Sequence, residues 1–162
     1  MNKFSRALIF GAALLPWCGC NVPFVPNFKL SNHDPDRAAV GAVVFAREAF
    51  IDLDQPKAYG LLSEEARQYI SLDQYINVIA RMHPKGFPKE VVATGYQPIP
   101  NADAVFVWMR GAGGGEQFNY RLTMKGKAPA GYRVAEMFRT ERMPPPDSLL
   151  PLPTERSTAA LR

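Results

Sequence analysis

The sequence is poor in the residues that carry redox and metal chemistry. It has only two cysteines and two histidines among 162 residues. Cys18 and Cys20 are spaced C-x-C, whereas a thioredoxin-type couple is C-x-x-C, and a disulfide across so short a loop would be strained. His33 and His83 have no paired spacing that would complete a zinc site. The sequence therefore predicts no metal ion and no cofactor.

The N-terminal region lacks an apolar run long enough to cross a bilayer as a helix, which takes ~20 residues. The run from Ala7 to Leu15 has nine residues and follows the basic residues Lys3 and Arg6. A basic start followed by a short apolar run is typical of a secretory signal. Residues 1–19 are therefore predicted to be a signal peptide.

The chain also lacks a strong excess of charge. Lys3 and Arg6 belong to the signal, which leaves 17 of the 19 basic residues against 15 acidic ones. We find no basic run with interleaved aromatic residues of the kind that binds nucleic acid. No nucleic-acid partner is therefore expected.

The stretch LLPWCGC at 14–20 is similar to the lipobox of bacterial lipoproteins. Gly19 and Cys18 fit the small residues before the modified cysteine, while Trp17 stands where that family usually has Leu, Val or Ile. The resemblance implies that Cys20 is acylated and becomes the first residue of the mature chain.

A lipid on Cys20 would anchor the protein in the bacterial cell envelope, facing the periplasm. Asn21 follows Cys20, where Asp retains enterobacterial lipoproteins in the inner membrane, so the outer membrane is the expected site. A secreted or signal-anchored protein is the alternative, since Cys18 and Cys20 also fit a small-x-small cleavage site. A cytosolic protein with an apolar start is the third interpretation.

Proline marks both ends of the expected domain. Residues 20–33 contain two prolines and no hydrophobic period, so they are predicted to form a tether. Five prolines fall within 143–153, which excludes a helix or a central strand there. We predict a Pro-rich extended or disordered tail over 142–162, with a polyproline partner motif as the alternative. The folded domain is then 34–141.

The first half of this domain has helical periodicity, with apolar residues at steps of three and four up to Leu53. Short capping signals precede each expected helix, and a capping box is formed by Ser71 with Gln74. A residue before proline avoids the helical region, so the last helix should end at His83. The expected helix starts are Asp34–Pro35, Pro56, Ser63 and Ser71.

The second half has the period of β-strands. Phe118, Tyr120, Leu122 and Met124 alternate with polar residues, which favours one buried and one solvated face. Short turn-rich loops separate four such segments and suit hairpins. Helices followed by a strand meander predict an α+β fold, with the N-terminal helices packed on an antiparallel sheet of about four strands.

This order of elements resembles the nuclear-transport-factor-2-like superfamily. The resemblance covers about 34–140 and is carried by AREAFIDLD at 46–54, KAYGLLSEEARQYIS at 57–71 and GYRVAEMF at 131–138. It implies a cone of helices wrapped by a curved antiparallel sheet. Enzymes of the superfamily hold an acid and a base in the cone, often an Asp–His pair. Neither His33 nor His83 is placed there by the sequence, so the protein is expected not to be an enzyme.

Glu136 is the one weak candidate for a catalytic residue. On a regular strand it would share a face with Tyr132, Val134 and Phe138. A buried carboxylate there would have a raised pKa and could act as acid or base in an isomerase- or dehydratase-like reaction. The alternatives are that Glu136 pairs with Arg121 or Arg110, or that Ala135 and Met137 face inward instead.

Four aromatic residues are candidates for ligand or partner binding: Phe106, Trp108, Tyr120 and Tyr132. Core packing is the alternative for each of them. Phe106 and Trp108 share one face of a strand whose other face is also apolar, and such a strand is either covered twice or offers a surface to a partner. We therefore predict a non-enzymatic lipoprotein that binds a protein partner, a second copy or a small apolar ligand. An accessory lipoprotein of a secretion or conjugation apparatus is the alternative.

Overall fold

The computed structural model describes residues 33–154 and 156–161. The predicted signal peptide, the lipidation site Cys20 and all of the tether before His33 lie outside the described residues. Within the described part, no helix combines the length and the apolar character that crossing a membrane requires.

The first helix, α1, is built on the predicted cap. The Asp34 side chain accepts a 3.0 Å hydrogen bond from the Arg37 backbone N–H, and Pro35 occupies the first turn. The helix differs from the expectation at its end. It is α-helical over Pro35–Ala46 and continues as a π-helical stretch over Arg47–Ile51. Leu53 lies beyond this stretch, in a left-handed backbone conformation with φ 55°, and is exposed, so the predicted apolar stripe ends before it.

Three shorter helices follow and each begins where the capping signals predict. Ser71 and Gln74 form the predicted capping box, with hydrogen bonds of 2.9 and 3.3 Å between side chain and backbone N–H. The helices are α2 (Gln55–Gly60), α3 (Glu64–Tyr69) and α4 (Leu72–Met82).

Five strands form one curved antiparallel sheet in the order β4-β3-β2-β1-β5. The predicted α+β class is confirmed, because the four helices pack against this sheet. The first four strands form a meander in chain order, as predicted. The fifth strand pairs with β1 at one edge of the sheet. The strands are β1 (Glu90–Pro98), β2 (Ala104–Gly113), β3 (Glu116–Lys127), β4 (Gly131–Thr140) and β5 (Arg156–Ser157).

The core lies between the helices and one face of the sheet, which we call the inner face. The opposite face is the outer face. Burying each large side chain of this core contributes roughly 1.5–3 kcal/mol, so the core holds the domain together. The largest fully buried core residues come from both layers: Phe45, Phe50 and Ile79 from the helices, and Met109, Phe118, Tyr120, Leu122 and Met124 from the inner face.

Irregularities in two strands reverse the alternation of faces. In β1 the register shifts between Ala93 and Gly95. In β4, Val134 pairs with Met124 and Glu136 pairs with Thr123, so Ala135 is an extra, bulged residue. Tyr132 and Val134 therefore face the core. Glu136 and Phe138 lie on the outer face, which differs from the shared buried face expected for a regular strand.

The C-terminal segment packs on the domain, where the sequence predicted an extended or disordered tail. Leu150 exchanges two backbone hydrogen bonds with Tyr96, at 3.0 and 2.9 Å. Farther on, the buried Thr158 hydroxyl accepts a 3.0 Å hydrogen bond from the Val91 N–H. The prolines are compatible with this path because β5 is an edge strand and they lie outside it. We call residues 143–151 the strap.

Candidate functional site

The outer face of the sheet presents three cross-strand rows of side chains. The register places Trp108 of β2 directly opposite Arg121 of β3, and Arg121 opposite Phe138 of β4. The rows are Gln97–Phe106–Thr123–Glu136, Gly95–Trp108–Arg121–Phe138 and Val92–Arg110–Asn119–Thr140.

Arg121 lies at the centre of these rows and is surrounded by aromatic rings. Its guanidinium carbon is 4.7 Å from the Phe106 ring centroid, 4.9 Å from that of Phe138 and 5.9 Å from that of Trp108. Cation–π attraction at such distances holds the guanidinium in one place. We call Phe106, Trp108, Arg121 and Phe138 the outer-face cluster. Phe138 is 45% exposed, so the cluster is open to solvent on one side.

Polar atoms of the outer face are left without acceptors. Trp108 Nε1, Arg121 Nε and Thr140 Oγ1 are inaccessible to solvent and have no hydrogen-bond partner among the described residues. A buried donor without an acceptor costs about 1–3 kcal/mol. The two nitrogens are donors only and belong to directly paired residues, so an oxygen acceptor from another molecule would relieve both once the enclosing rings move apart to admit it.

Glu136 does not neutralise this region. Its carboxylate accepts a 3.2 Å hydrogen bond from the Thr123 hydroxyl, and the residue is exposed. The ion pairs within 4.0 Å among the described residues include neither Arg121 nor Arg110. The alternative in which Glu136 pairs with one of these arginines is therefore not observed among the described residues, and the Arg121 guanidinium keeps an unpaired positive charge at the centre of the outer face.

A cleft of about 470 Å³ adjoins the cluster where Phe106 meets α3. Residues before α3 pair with the edge of β4: Ser63 N–H donates to Val134 O at 2.8 Å. Glu65 of α3 then forms a 2.5 Å ion pair with Lys125 of β3, which holds the helix beside the outer face. The cleft is lined by apolar residues and by three carboxylates with one lysine: Ser63, Glu65, Ala66, Tyr69, Ile99, Ala102, Asp103, Ala104, Phe106, Thr123, Lys125, Ala135 and Glu136. Its volume lies within the range of ~300–1,000 Å³ common for ligand sites.

A larger, more open groove of about 860 Å³ runs beside α4. It is lined by Tyr69, Ile70, Gln74, Asn77, Val78, Ala80, Arg81 and Pro84. The unpartnered donors described above are on the outer face and not in this groove. Size alone therefore does not make it the better candidate.

The other two predicted aromatic residues lie on the inner face. Tyr120 is fully buried, and its hydroxyl is 2.8 Å from His83 Nε2. Tyr132 is buried and accepts a 2.8 Å hydrogen bond from the Asp34 N–H. The structure thus divides the four candidates into two pairs, with only Phe106 and Trp108 reaching the outer face.

His83 is the polar core residue that sequence reasoning left outside the domain interior. Its Nδ1 is 2.9 Å from the Ile79 carbonyl oxygen, so Nδ1 carries the proton and Nε2 accepts from Tyr120. Burial lowers the His83 pKa below 6.5, and the nearby Arg139 guanidinium lowers it further, while the Ile79 hydrogen bond and Glu116 oppose this. Burial also raises the Tyr120 pKa. In the sequence, the sign of this structural role is the position of His83 immediately after α4.

The arrangement around His83 completes the end of α4. The last four carbonyls of a helix need partners, and here Ile79 O binds the His83 ring, Ala80 O accepts from the His83 N–H and Met82 O accepts from Arg139. Phe50, Phe87 and Phe118 enclose the ring, with centroids 4.6–5.8 Å away. His83 is therefore a satisfied structural histidine.

The two aspartates that follow the first helix also have structural partners. Asp52 forms a 2.9 Å ion pair with Arg47, and Asp54 caps α2 by accepting from the Lys57 N–H. No group of three or more His, Cys, Asp or Glu side chains among the described residues is arranged to hold a metal ion. Of the arrangements described above, the outer-face cluster is the best suited to bind another molecule. Its guanidinium and aromatic rings can recognise a partner. No protein-family model, curated protein or solved structure compared with this chain matches it.

Proposed function

We propose that this protein is a non-enzymatic lipoprotein of the bacterial cell envelope whose α+β domain binds a protein partner through the outer face of its sheet. One observation carries the binding proposal: an open aromatic cluster surrounds an arginine that has no carboxylate partner in the described part of the chain. Aromatic residues and arginine are enriched where protein interfaces are strongest. The lipobox-like stretch supports the anchor, and the helices-then-meander order supports the likeness to the nuclear-transport-factor-2-like superfamily.

Site-specific photo-cross-linking in intact cells tests the binding surface. A photoreactive residue at Gln97 lies in the same row as Phe106 and leaves the cluster intact. The matched control is Asn77, an exposed amide in the groove beside α4. We expect a discrete protein adduct from Gln97, absent from Asn77 and lost in a Trp108→Ala background. Adducts from Asn77 alone would overturn the choice of surface. Native mass spectrometry that shows a small bound molecule instead would favour an apolar ligand.

The anchor is tested separately. Acylation of Cys20 predicts that the intact mass of the mature protein lacks residues 1–19 and includes added lipid. A Cys20→Ser change should then release the protein from membranes or block its processing. Fractionation of inner and outer membranes would locate the anchored protein, for which we propose the outer membrane. A mature chain that begins elsewhere and carries no lipid contradicts this part of the proposal.

The enzyme alternative rests on Glu136, which lines the cleft beside Thr123. A carboxylate at the wall of a cleft is one element of acid–base catalysis. The residue is exposed and accepts a hydrogen bond from the Thr123 hydroxyl, which suits a rim position better than a reacting group. If an isomerase- or dehydratase-like activity is found, its persistence in a Glu136→Gln variant removes Glu136 from the mechanism.

A further inference from the structure

We infer that the partner of the outer face is a peptide segment that is both acidic and apolar, and that it places a carboxylate over Arg121 and Trp108. The inference rests on the proposed function and specifies the chemistry of the partner. It is drawn from three features of the outer face: donors without acceptors, a guanidinium without a carboxylate partner among the described residues, and an adjoining cleft that is mainly apolar.

The donors indicate an acceptor. Trp108 Nε1–H and Arg121 Nε–H belong to directly paired residues and have no acceptor among the described residues. A donor that stays buried and unpaired carries a desolvation cost, and a carboxylate on the guanidinium removes this cost once the enclosing rings move apart to admit it. Charge-assisted hydrogen bonds to guanidinium are also about twice as strong as neutral ones. A carboxylate therefore gains more here than an amide or a hydroxyl of the same size.

The charges at the centre of the outer face also favour an acidic partner. Arg121 and Arg110 occupy adjacent rows and form no ion pair with a carboxylate of the described residues. Glu136 is the acidic residue of these rows, and it is engaged by Thr123. A partner of opposite charge is steered to such a surface, and a partner with like charge is rejected.

The residues around the cluster favour a partner that also carries an apolar side chain. Phe106 belongs both to the cluster and to the cleft of about 470 Å³, so a ligand on Arg121 has an apolar surface beside it. Glu65, Asp103 and Glu136 also line this cleft, so the side chain that enters it must be uncharged, and the carboxylate must stay at Arg121. The strap limits the face at its other side, where Leu149 packs against Gly95. A bare anion would leave the cleft unused. A peptide segment with a carboxylate and a large apolar side chain fills both, and we commit to a partner protein as its source.

Three probe peptides of about twelve residues test the chemistry directly, each with the same Leu and Phe positions. The polar positions carry Asp and Glu in the first, Asn and Gln in the second, and Lys in the third. The protein is the full chain with Cys20→Ser, which removes the acylation site and changes no described residue. Binding is read by fluorescence anisotropy. We expect the acidic peptide to bind roughly 10-fold tighter than the amide peptide at low salt, with the advantage falling as salt screens it.

Arg121→Met should remove that advantage by about 10-fold and leave binding of the amide peptide unchanged, because methionine keeps the apolar stem between the rings. Arg121→Lys keeps the charge without the planar fork and should give an intermediate affinity, which guards against loss of folding in the methionine variant. Arg81→Met, in the groove beside α4, is the matched control and should change nothing. Equal affinity for acidic and amide peptides, or an Arg121→Met variant that binds normally, overturns the inference.

The failure of this inference is separable from the failure of the proposed function. If the Gln97 adduct forms in cells and persists in Arg121→Met, the outer face binds a partner but the carboxylate is not what it recognises. If the acidic peptide binds selectively but Gln97 gives no adduct, the recognition is intrinsic and the proposed cellular role fails. Sedimentation that shows a dimer dissociated by Arg121→Met would identify a second copy as the occupant and overturn the acidic partner.

Discussion

The Tyr120 hydroxyl donates a 2.8 Å hydrogen bond to His83 Nε2 inside the core, joining the end of α4 to the middle strand β3. The same ring donates from Nδ1 to the Ile79 carbonyl. One imidazole therefore satisfies a helix end and a buried phenol, and this explains how a polar pair is tolerated among aromatic rings.

The first prediction concerns pH. Because burial lowers the folded-state His83 pKa below 6.5, the unfolded chain binds more protons as pH falls through this range. The free energy of unfolding should be constant above about pH 6.5 and decrease below it, with a slope of at most ~1.4 kcal/mol per pH unit, until the folded-state pKa is passed. Urea denaturation between pH 7.5 and about pH 5 measures this. His83→Gln carries no titrating ring, so an identical pH dependence in that variant would contradict the prediction.

The second prediction compares two buried phenols. Tyr120→Phe leaves His83 Nε2 without a donor and should lower the free energy of unfolding by about 1–2 kcal/mol. Tyr75 is also buried, but its hydroxyl has no hydrogen-bond partner among the described residues. Tyr75→Phe should therefore be neutral or stabilise the protein by up to about 1 kcal/mol. Denaturant midpoints decide the matter, and equal destabilisation by both changes would show that ring packing outweighs the hydroxyls.

The third prediction concerns the anchoring of the C-terminal segment. The Thr158 hydroxyl accepts from the buried Val91 N–H, which lies on the edge of β1. Thr158→Val preserves the shape and removes the acceptor, so the free energy of unfolding should fall by about 1–3 kcal/mol. The exposed Thr154 offers the matched control, since Thr154→Val should stay within about 0.5 kcal/mol of the parent. Unchanged stability in Thr158→Val would mean that water replaces the hydroxyl at no cost.

The fourth prediction concerns the strap. A Cβ at Gly95 would lie 3.1 Å from the Leu149 Cβ and 3.2 Å from the Leu150 carbonyl oxygen. Gly95→Ala should displace the strap, cost about 1–3 kcal/mol and speed tryptic cleavage after the exposed Arg142. Gly60→Ala is the control, because nothing lies within 4 Å of its added Cβ. A cleavage rate that is the same in both variants would show that the strap is not held at Gly95.

Much of the fold could be predicted because its signals are local. The Ser71–Gln74 capping box, the Asp34 cap and the alternation along β3 depend on neighbours within a few residues, and each forms as predicted. The order of helices and hairpins follows from short loops. These features decide the α+β class without reference to distant contacts.

The candidate site could be predicted only in part. Phe106 and Trp108 were identified because β2 is apolar on both faces, and they do share the outer face. Phe138 and Arg121 were missed as their partners, since the Ala135 bulge that turns Phe138 outward has no signature in a single strand. His83 was missed for a related reason: its partner Tyr120 lies 37 residues away in the chain.

The sequence by itself determined the element types, their order and the regular faces of each strand, since these depend on backbone periodicity and on caps that act over three or four residues. Only the tertiary structure decided which way the bulged half of β4 faces, where the Pro-rich segment packs, and that Arg121 lies among three aromatic rings. The physical reason is that each of these is a contact between segments distant in sequence. Their energies come from burial and register, which no local pattern specifies.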